Sequence, residues 1–103
     1  MNANIKSLLI VDDDADDRSL FLEAVKDVDD TIVCFEANDG QQALEMLNNM
    51  DGSLPDFIFL DLRMPRYNGE KCLFEIKKTE RLKNIPVIIY TTSKNVEESK
   101  QLK

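Results

Sequence analysis

Acidic and hydroxyl side chains follow three of the apolar runs in this 103-residue chain. Asp12-Asp13-Asp14 come after the first run, Asp61 after the third, and Thr91-Thr92-Ser93 after the fourth. Clustered carboxylates repel one another, and a hard divalent cation with oxygen ligands relieves that repulsion. Magnesium suits such a site, since it retains several waters and works with phosphates through one or two carboxylates. A carboxylate beside it can attack phosphorus and form an acyl phosphate.

The apolar runs themselves predict the strands of a parallel sheet. Leu8 to Val11 is continuously apolar and has acidic residues after it, which is typical of a strand buried on both faces. The runs at residues 31–35, 57–60 and 87–90 resemble it.

Between these runs the hydrophobic period becomes helical, and three apolar stripes predict three helices. Asp39 with Gln42, Asn68-Gly69, and Asn95 with Glu98 are placed as helix starts, the last of them opening a fourth helix. The order strand–helix, repeated four times, predicts an α/β fold with right-handed crossovers. The stripes comprise Leu20, Phe21, Ala24, Val25 and Val28, then Ala43, Leu44, Leu47 and Met50, then Cys72, Leu73 and Ile76.

In an open parallel sheet the ligand site forms beyond the carboxyl ends of the strands, so we expect these polar groups to meet there. A structural explanation competes for each group taken alone. Residues 12–17 could be a cap and a first helical turn, and Asp61 could be a turn residue. Their coincidence at three equivalent strand ends favours the chemical interpretation.

Composition excludes several classes of function. The formal charge of -7 argues against a nucleic-acid partner or an anionic membrane. Cys34 and Cys72, in a chain without His, cannot complete a zinc site or a disulfide scaffold, and we expect two reduced core thiols. The apolar run near the N-terminus is too short for a signal peptide or a membrane span, so we expect a cytoplasmic location.

Three segments together resemble the receiver domain of two-component response regulators. They are Leu9-Ile-Val-Asp-Asp13, Phe59-Leu-Asp-Leu-Arg-Met-Pro65 with Gly69 after it, and Pro86-Val-Ile-Ile-Tyr-Thr91. The resemblance runs from about Lys6 to the last residue and includes single-domain relatives of the chemotaxis regulator. It implies one receiver domain over residues 1–103, with the doubly wound, flavodoxin-like parallel sheet of that family.

The resemblance also implies a role for each matching residue. Asp61 is the phosphorylation site, and Asp13 and Asp61 bind Mg²⁺ together with the backbone carbonyl of Arg63. Asp12 assists through a metal-bound water. Thr91 hydrogen-bonds the phosphoryl oxygen.

The partners expected by the same resemblance are a sensor histidine kinase or phosphotransfer protein as donor, and a downstream protein that the sequence does not name. The chain would take part in phosphoryl transfer and slow self-dephosphorylation without being an enzyme in the ordinary sense.

The sequence departs from the family pattern at its C-terminal end. Receivers of this kind continue with a fifth strand, which ends in a phosphate-binding Lys followed by Pro, and with a fifth helix. The printed sequence ends at Lys103, inside the predicted fourth helix. We therefore expect either a C-terminally incomplete receiver or, if these residues are the whole molecule, weak phosphorylation.

Two other functions compete with the phosphoacceptor. A pseudo-receiver would keep the fold as an interaction module without being phosphorylated, as the missing Lys would suggest. A haloacid-dehalogenase-like phosphatase could use Asp12 and Asp14 after the first strand with Thr91 after a later one. That second alternative leaves the segment from Asp61 to Pro65 unexplained.

If the sheet ends at the strand 87–90, its exposed apolar edge should pair with a second copy of the chain. Size-exclusion chromatography of the 103-residue protein would then give a dimer. A stable monomer with sharp native spectra would contradict this expectation.

Overall fold

A computed structural model describes residues 5–62 and 69–90 of the chain, which form an α/β fold. Four strands and three helices alternate along these residues. They are β1 (Ser7–Val11), α1 (Ala15–Val28), β2 (Val33–Ala37), α2 (Gly40–Asn49), β3 (Phe57–Asp61), α3 (Gly69–Lys78) and β4 (Val87–Tyr90). The predicted fold class is confirmed, and the predicted fourth helix lies outside the described residues.

The sheet is parallel throughout, with the strand order β2-β1-β3-β4. The inner strand β1 is buried from Leu8 to Val11, and β3 alternates between buried residues and the partly buried Phe57 and Phe59. The chain leaves β1 toward β2 on one side and later returns to β3 on the other. The strand order therefore reverses at β1, and the ends of β1 and β3 flank the switch point.

The main core lies on the sheet face that α2 and α3 cover. Right-handed crossovers place these two helices together and α1 on the opposite face, because the chain moves in opposite directions along the sheet. On the α1 face, the rings of Phe21 and Phe59 pack with their centroids 4.8 Å apart. The buried core cluster comprises Leu9, Val11, Ala37, Ala43, Leu47, Ile58, Leu60, Cys72, Ile76, Leu82 and Ile85.

The outer strands differ from the prediction of strands buried on both faces. The second strand begins at Val33 rather than at residue 31, and Val33 is 53% exposed. Both β2 and β4 form edges of the sheet in the described residues, so each has a neighbour on one side there. Dimerisation through the edge of β4 stays a prediction.

The α1 stripe correctly predicted a helix, but its apolar residues are less covered than those of α2 and α3. Leu20 is 64% exposed and Val28 is 85% exposed. An apolar groove of about 430 Å³ runs between α1 and the sheet, lined among others by Val28, Phe57 and Ile88.

None of the helices in the described ranges combines the length and apolar character that a membrane span requires.

The helix starts follow the capping residues of the sequence. Asp39 caps α2 by accepting a hydrogen bond from the Gln42 N–H, as predicted, and the Gln42 side chain accepts from the N–H of Asn38. Gly69 is the first residue of α3 rather than a residue before it, and Asn68 lies outside the described residues. At the other end of α2, Arg81 donates to the carbonyls of Leu47 and Met50. It supplies the cation that the last turn of α2 lacks.

The two cysteines are free thiols in different surroundings. Cys72 is buried in the core, and burial, followed by the charge of Asp39, raises its pKa to about 12. Cys34 is only partly buried, so the expectation of a second core thiol was wrong.

Asp56 ties the start of β3 to the start of β1. Its carboxylate accepts hydrogen bonds from the backbone N–H groups of Lys6 (2.7 Å) and Ser7 (3.1 Å). These two donors lower the pKa of Asp56, with Lys6 contributing most. Thr31 lowers the pKa of Asp29 in the same way, first through its hydroxyl and then through its N–H.

We expect an Asp56→Asn variant to lose part of the acid sensitivity of folding. Because the folded state lowers this pKa, the carboxylate stabilises the fold above the pKa of the unfolded chain, and this contribution disappears as the pH falls through the folded value. Thermal unfolding from about pH 5 to about pH 2 should show a shallower decline for the variant than for the wild type. Equal slopes would contradict the role assigned to Asp56.

Candidate functional site

Three carboxylates converge where β1 and β3 end. The strands are parallel neighbours, with Val11 opposite Leu60, so their carboxyl ends lie at the same edge of the sheet. Asp12 and Asp13 follow β1 directly, and Asp61 is the last residue of β3. Each of the three offers a carboxylate oxygen, and these atoms lie within 4.8 Å of one another.

The burial of this cluster determines its electrostatics. Asp12 and Asp61 are both 0% exposed, whereas Asp13 is more accessible. Buried carboxylates are costly unless hydrogen bonds or cations compensate their charge. A donor set made only of carboxylate oxygens fits a hard cation such as Mg²⁺ rather than a soft one. The residues present therefore fit the cation that the sequence predicted.

Asp12 is fixed by neighbours on several sides. Its Oδ1 accepts from the N–H of Asp14 at 2.9 Å, and its Oδ2 accepts from the hydroxyl of Tyr90 at 2.9 Å. Its backbone carbonyl accepts from Nη1 of Arg18 at 2.6 Å. The same guanidinium pairs with Glu36 on β2 at 3.1 Å, so α1, β2 and the acidic loop are connected through one side chain.

Tyr90 remains a hydrogen-bond donor in this environment. Burial raises its pKa well above the ordinary value, and the hydrogen bond to Asp12 and the negative charges of Asp12, Asp61 and Asp17 raise it further. The hydroxyl thus keeps its proton and can donate it to the carboxylate.

The acidic run after β1 divides into two groups. Asp14 is the N-cap of α1, and its Oδ1 accepts from the N–H groups of Asp16 (2.9 Å) and Asp17 (3.2 Å). Asp16 and Asp17 lie in the first turn, where they complement the helix dipole. The structural explanation therefore accounts for these three residues, and the cation-site interpretation fits Asp12 and Asp13.

The structure brings Asp12, Asp13 and Asp61 together as the sequence predicted. Arg63 and Thr91, the other two predicted site residues, lie outside the described residues. Sequence reasoning missed Tyr90 and Arg18. Tyr90 is the last residue of β4, so the rule that parallel strand ends converge could have placed it at the site. It was missed because its aromatic ring was counted as part of the apolar strand.

Gly69 permits a close approach between α3 and the end of β3. A Cβ atom added there would lie 2.6 Å from the Cα of Leu62 and 2.7 Å from the carbonyl oxygen of Asp61. Both are backbone atoms, so they cannot give way by changing a rotamer. Gly69 therefore allows the start of α3 to lie close to the backbone of Asp61 and Leu62.

Comparison with known families gives a match over most of the chain. The family model for the response regulator receiver domain matches residues 8–103.

Relatives and solved structures agree with this match. Sensor histidine kinase CheAY of Helicobacter pylori is 35% identical over 82% of this chain, which spans 10% of that protein. Response regulator Rcp1 of Synechocystis sp. is 34% identical over 87% of this chain, which spans 64% of it. The chain thus spans less than two thirds of both curated relatives. The Mn(2+)-bound form of Rcp1 superposes with a TM-score of 0.75 at 31% identity, covering 94% of this chain and 75% of that one.

We expect Gly69→Ala to disturb both folding and the acidic cluster. The added methyl group must displace the backbone at Leu62 or Asp61, which should cost roughly 1–3 kcal/mol. Urea unfolding would measure this cost, and titration with Mg²⁺ should show weaker binding.

Gly52→Ala is the matched control for this variant. Gly52 has a positive φ of 85° but nothing within 4 Å of a Cβ, so alanine there should destabilise through backbone strain alone. Unchanged Mg²⁺ binding in both variants would show that the contact at Gly69 does not position Asp61.

Proposed function

The chain belongs to the family of response regulator receiver domains, and we propose that it accepts a phosphoryl group on Asp61 with the help of Mg²⁺. Receiver domains act as signalling modules of two-component systems. The observation that carries the proposal is the burial of Asp61 at the end of β3, beside Asp12 and Asp13.

The chemistry follows from the position of Asp61. One of its carboxylate oxygens attacks phosphorus, an acyl phosphate O–P bond forms, and the P–N bond to the donor's phosphohistidine breaks. The imidazole leaves as the neutral ring once it has taken up a proton. Asp61 is held at a rigid strand end, so little reorganisation is needed to present its oxygen.

Asp13 and Asp61 are the proposed direct ligands of the cation, together with the backbone carbonyl of Arg63. Asp12 is proposed to bind through a coordinated water. When bound, Mg²⁺ neutralises the charge that collects on the transferring group and on the carboxylates around it. The Mn(2+)-bound form of Rcp1 supports a divalent cation in a structure of this fold.

A sensor histidine kinase or a phosphotransfer protein is the proposed donor, and a further protein reads the modified state. The similarity to a segment of sensor histidine kinase CheAY supports a place in such a system. A net charge of -7 disfavours nucleic acid and anionic membranes as partners.

The phosphatase alternative loses support from the position of Asp14. That mechanism needs a second acid free to move a proton two residues after the nucleophile, whereas Oδ1 of Asp14 accepts two N–H groups at the start of α1. The pseudo-receiver alternative is an outcome of the experiment below.

Intact mass spectrometry after incubation with Mg²⁺ and a small-molecule acyl phosphate tests the proposal. We expect one added phosphoryl group on the wild type and none on Asp61→Asn, because the amide cannot form the acyl phosphate. Chelation of the cation should abolish the adduct in the wild type.

Asp56→Asn, which removes a carboxylate at the opposite end of the same strand, is the control and should keep the adduct. Turnover of phosphate esters would favour the phosphatase. No adduct on a folded wild-type protein would favour the pseudo-receiver.

A further inference from the structure

One side chain crosses the end of β3 and connects β4 to the acidic loop after β1. Tyr90 pairs in register with Asp61 at the ends of β4 and β3. Its hydroxyl nevertheless donates to Oδ2 of Asp12, beyond β3 in the strand order. The N–H of Leu62 donates to the carbonyl of Tyr90 at 3.2 Å, so the backbone of Tyr90 is fixed to the end of β3.

The bridge completes the immobilisation of Asp12. Each carboxylate oxygen of Asp12 accepts a hydrogen bond at 2.9 Å, one from the N–H of Asp14 and one from Tyr90. One donor is the N-cap residue of α1 and the other is the last residue of β4, and the carboxylate is fully buried between them. Its orientation toward Asp13 and Asp61 is therefore set from two sides.

We propose that Tyr90 is a positioning residue for the cation site, acting through Asp12. The hydroxyl holds Oδ2 of Asp12, so that the Asp12 carboxylate is oriented to accept a hydrogen bond from a cation-bound water. Asp13 and Asp61 contact the cation directly. This inference rests on the cation-binding part of the proposed function. It does not require that Asp61 be phosphorylated.

The contribution of the hydroxyl can be isolated because it carries no charge. Tyr90→Phe keeps the ring and the net charge, so a change in cation affinity reports the loss of the hydrogen bond to Asp12. Outer-shell partners of metal ligands typically contribute about 10- to 100-fold in metal affinity. Because Asp12 acts through a cation-bound water, we expect Tyr90 to contribute at the lower end of that range.

Calorimetric titration with Mg²⁺ tests the inference. We expect the dissociation constant to rise about tenfold in Tyr90→Phe. In an Asp12→Asn background the same substitution should have little further effect, since the two residues act as a unit.

A second measurement separates positioning from a loss of stability. Tyr67 and Tyr90 are the two tyrosines of the chain, so ¹³C labelling at Cζ gives two signals, which Tyr90→Phe assigns. The Tyr90 signal should shift in Asp12→Asn and stay nearly constant when Mg²⁺ binds the wild type. Val87→Ala, at the other end of β4, should destabilise the fold and leave the Mg²⁺ affinity unchanged.

The possible results distinguish this inference from the proposed function. The inference would be overturned if Tyr90→Phe bound Mg²⁺ with wild-type affinity, or if the ¹³C signal of Tyr90 did not shift in Asp12→Asn. Neither result would contradict the phosphoacceptor proposal. Weakened Mg²⁺ binding in Tyr90→Phe, combined with no phosphoryl adduct on the wild type, would support the inference and contradict phosphorylation.

Discussion

The repulsion between two fully buried carboxylates, Asp12 and Asp61, is the constraint around which this edge of the sheet is organised. Three groups near Asp12 oppose this repulsion with a donor or a positive charge: the N–H of Asp14, the hydroxyl of Tyr90 and the guanidinium of Arg18 on its carbonyl. The start of α1 adds the positive end of its dipole. A divalent cation would compensate the negative charge that remains, which is why we propose that the cluster binds one.

The two sheet faces contribute differently to holding this arrangement. On the α2 and α3 face, Leu9, Val11, Ile58 and Leu60 are fully buried and fix β1 and β3 relative to each other. The α1 face is more open in the described residues and contains the apolar groove. The ends of β1 and β3 are thus positioned mainly by close packing on one side, where interiors are least deformable.

The acidic residues after β1 serve two purposes that sequence alone presented as alternatives. Asp14, Asp16 and Asp17 start the helix, and Asp12 and Asp13 face Asp61. The purposes are linked, because the N–H of Asp14, the helix-capping residue, also holds Asp12. Correct capping of α1 and correct orientation of the cluster are therefore parts of one local structure.

The sequence by itself determined the parallel α/β fold, the strand β4 at its observed bounds, and the convergence of Asp12, Asp13 and Asp61. These follow from periodicity and from the rule that parallel strand ends meet at one edge, which need no knowledge of side-chain packing. Only the tertiary structure decided that β2 is a partly exposed edge and that Tyr90 reaches Asp12, 78 residues away along the chain. The order of the strands and the rotamer of Tyr90 depend on packing between segments that are distant in sequence. A local sequence pattern therefore cannot predict them.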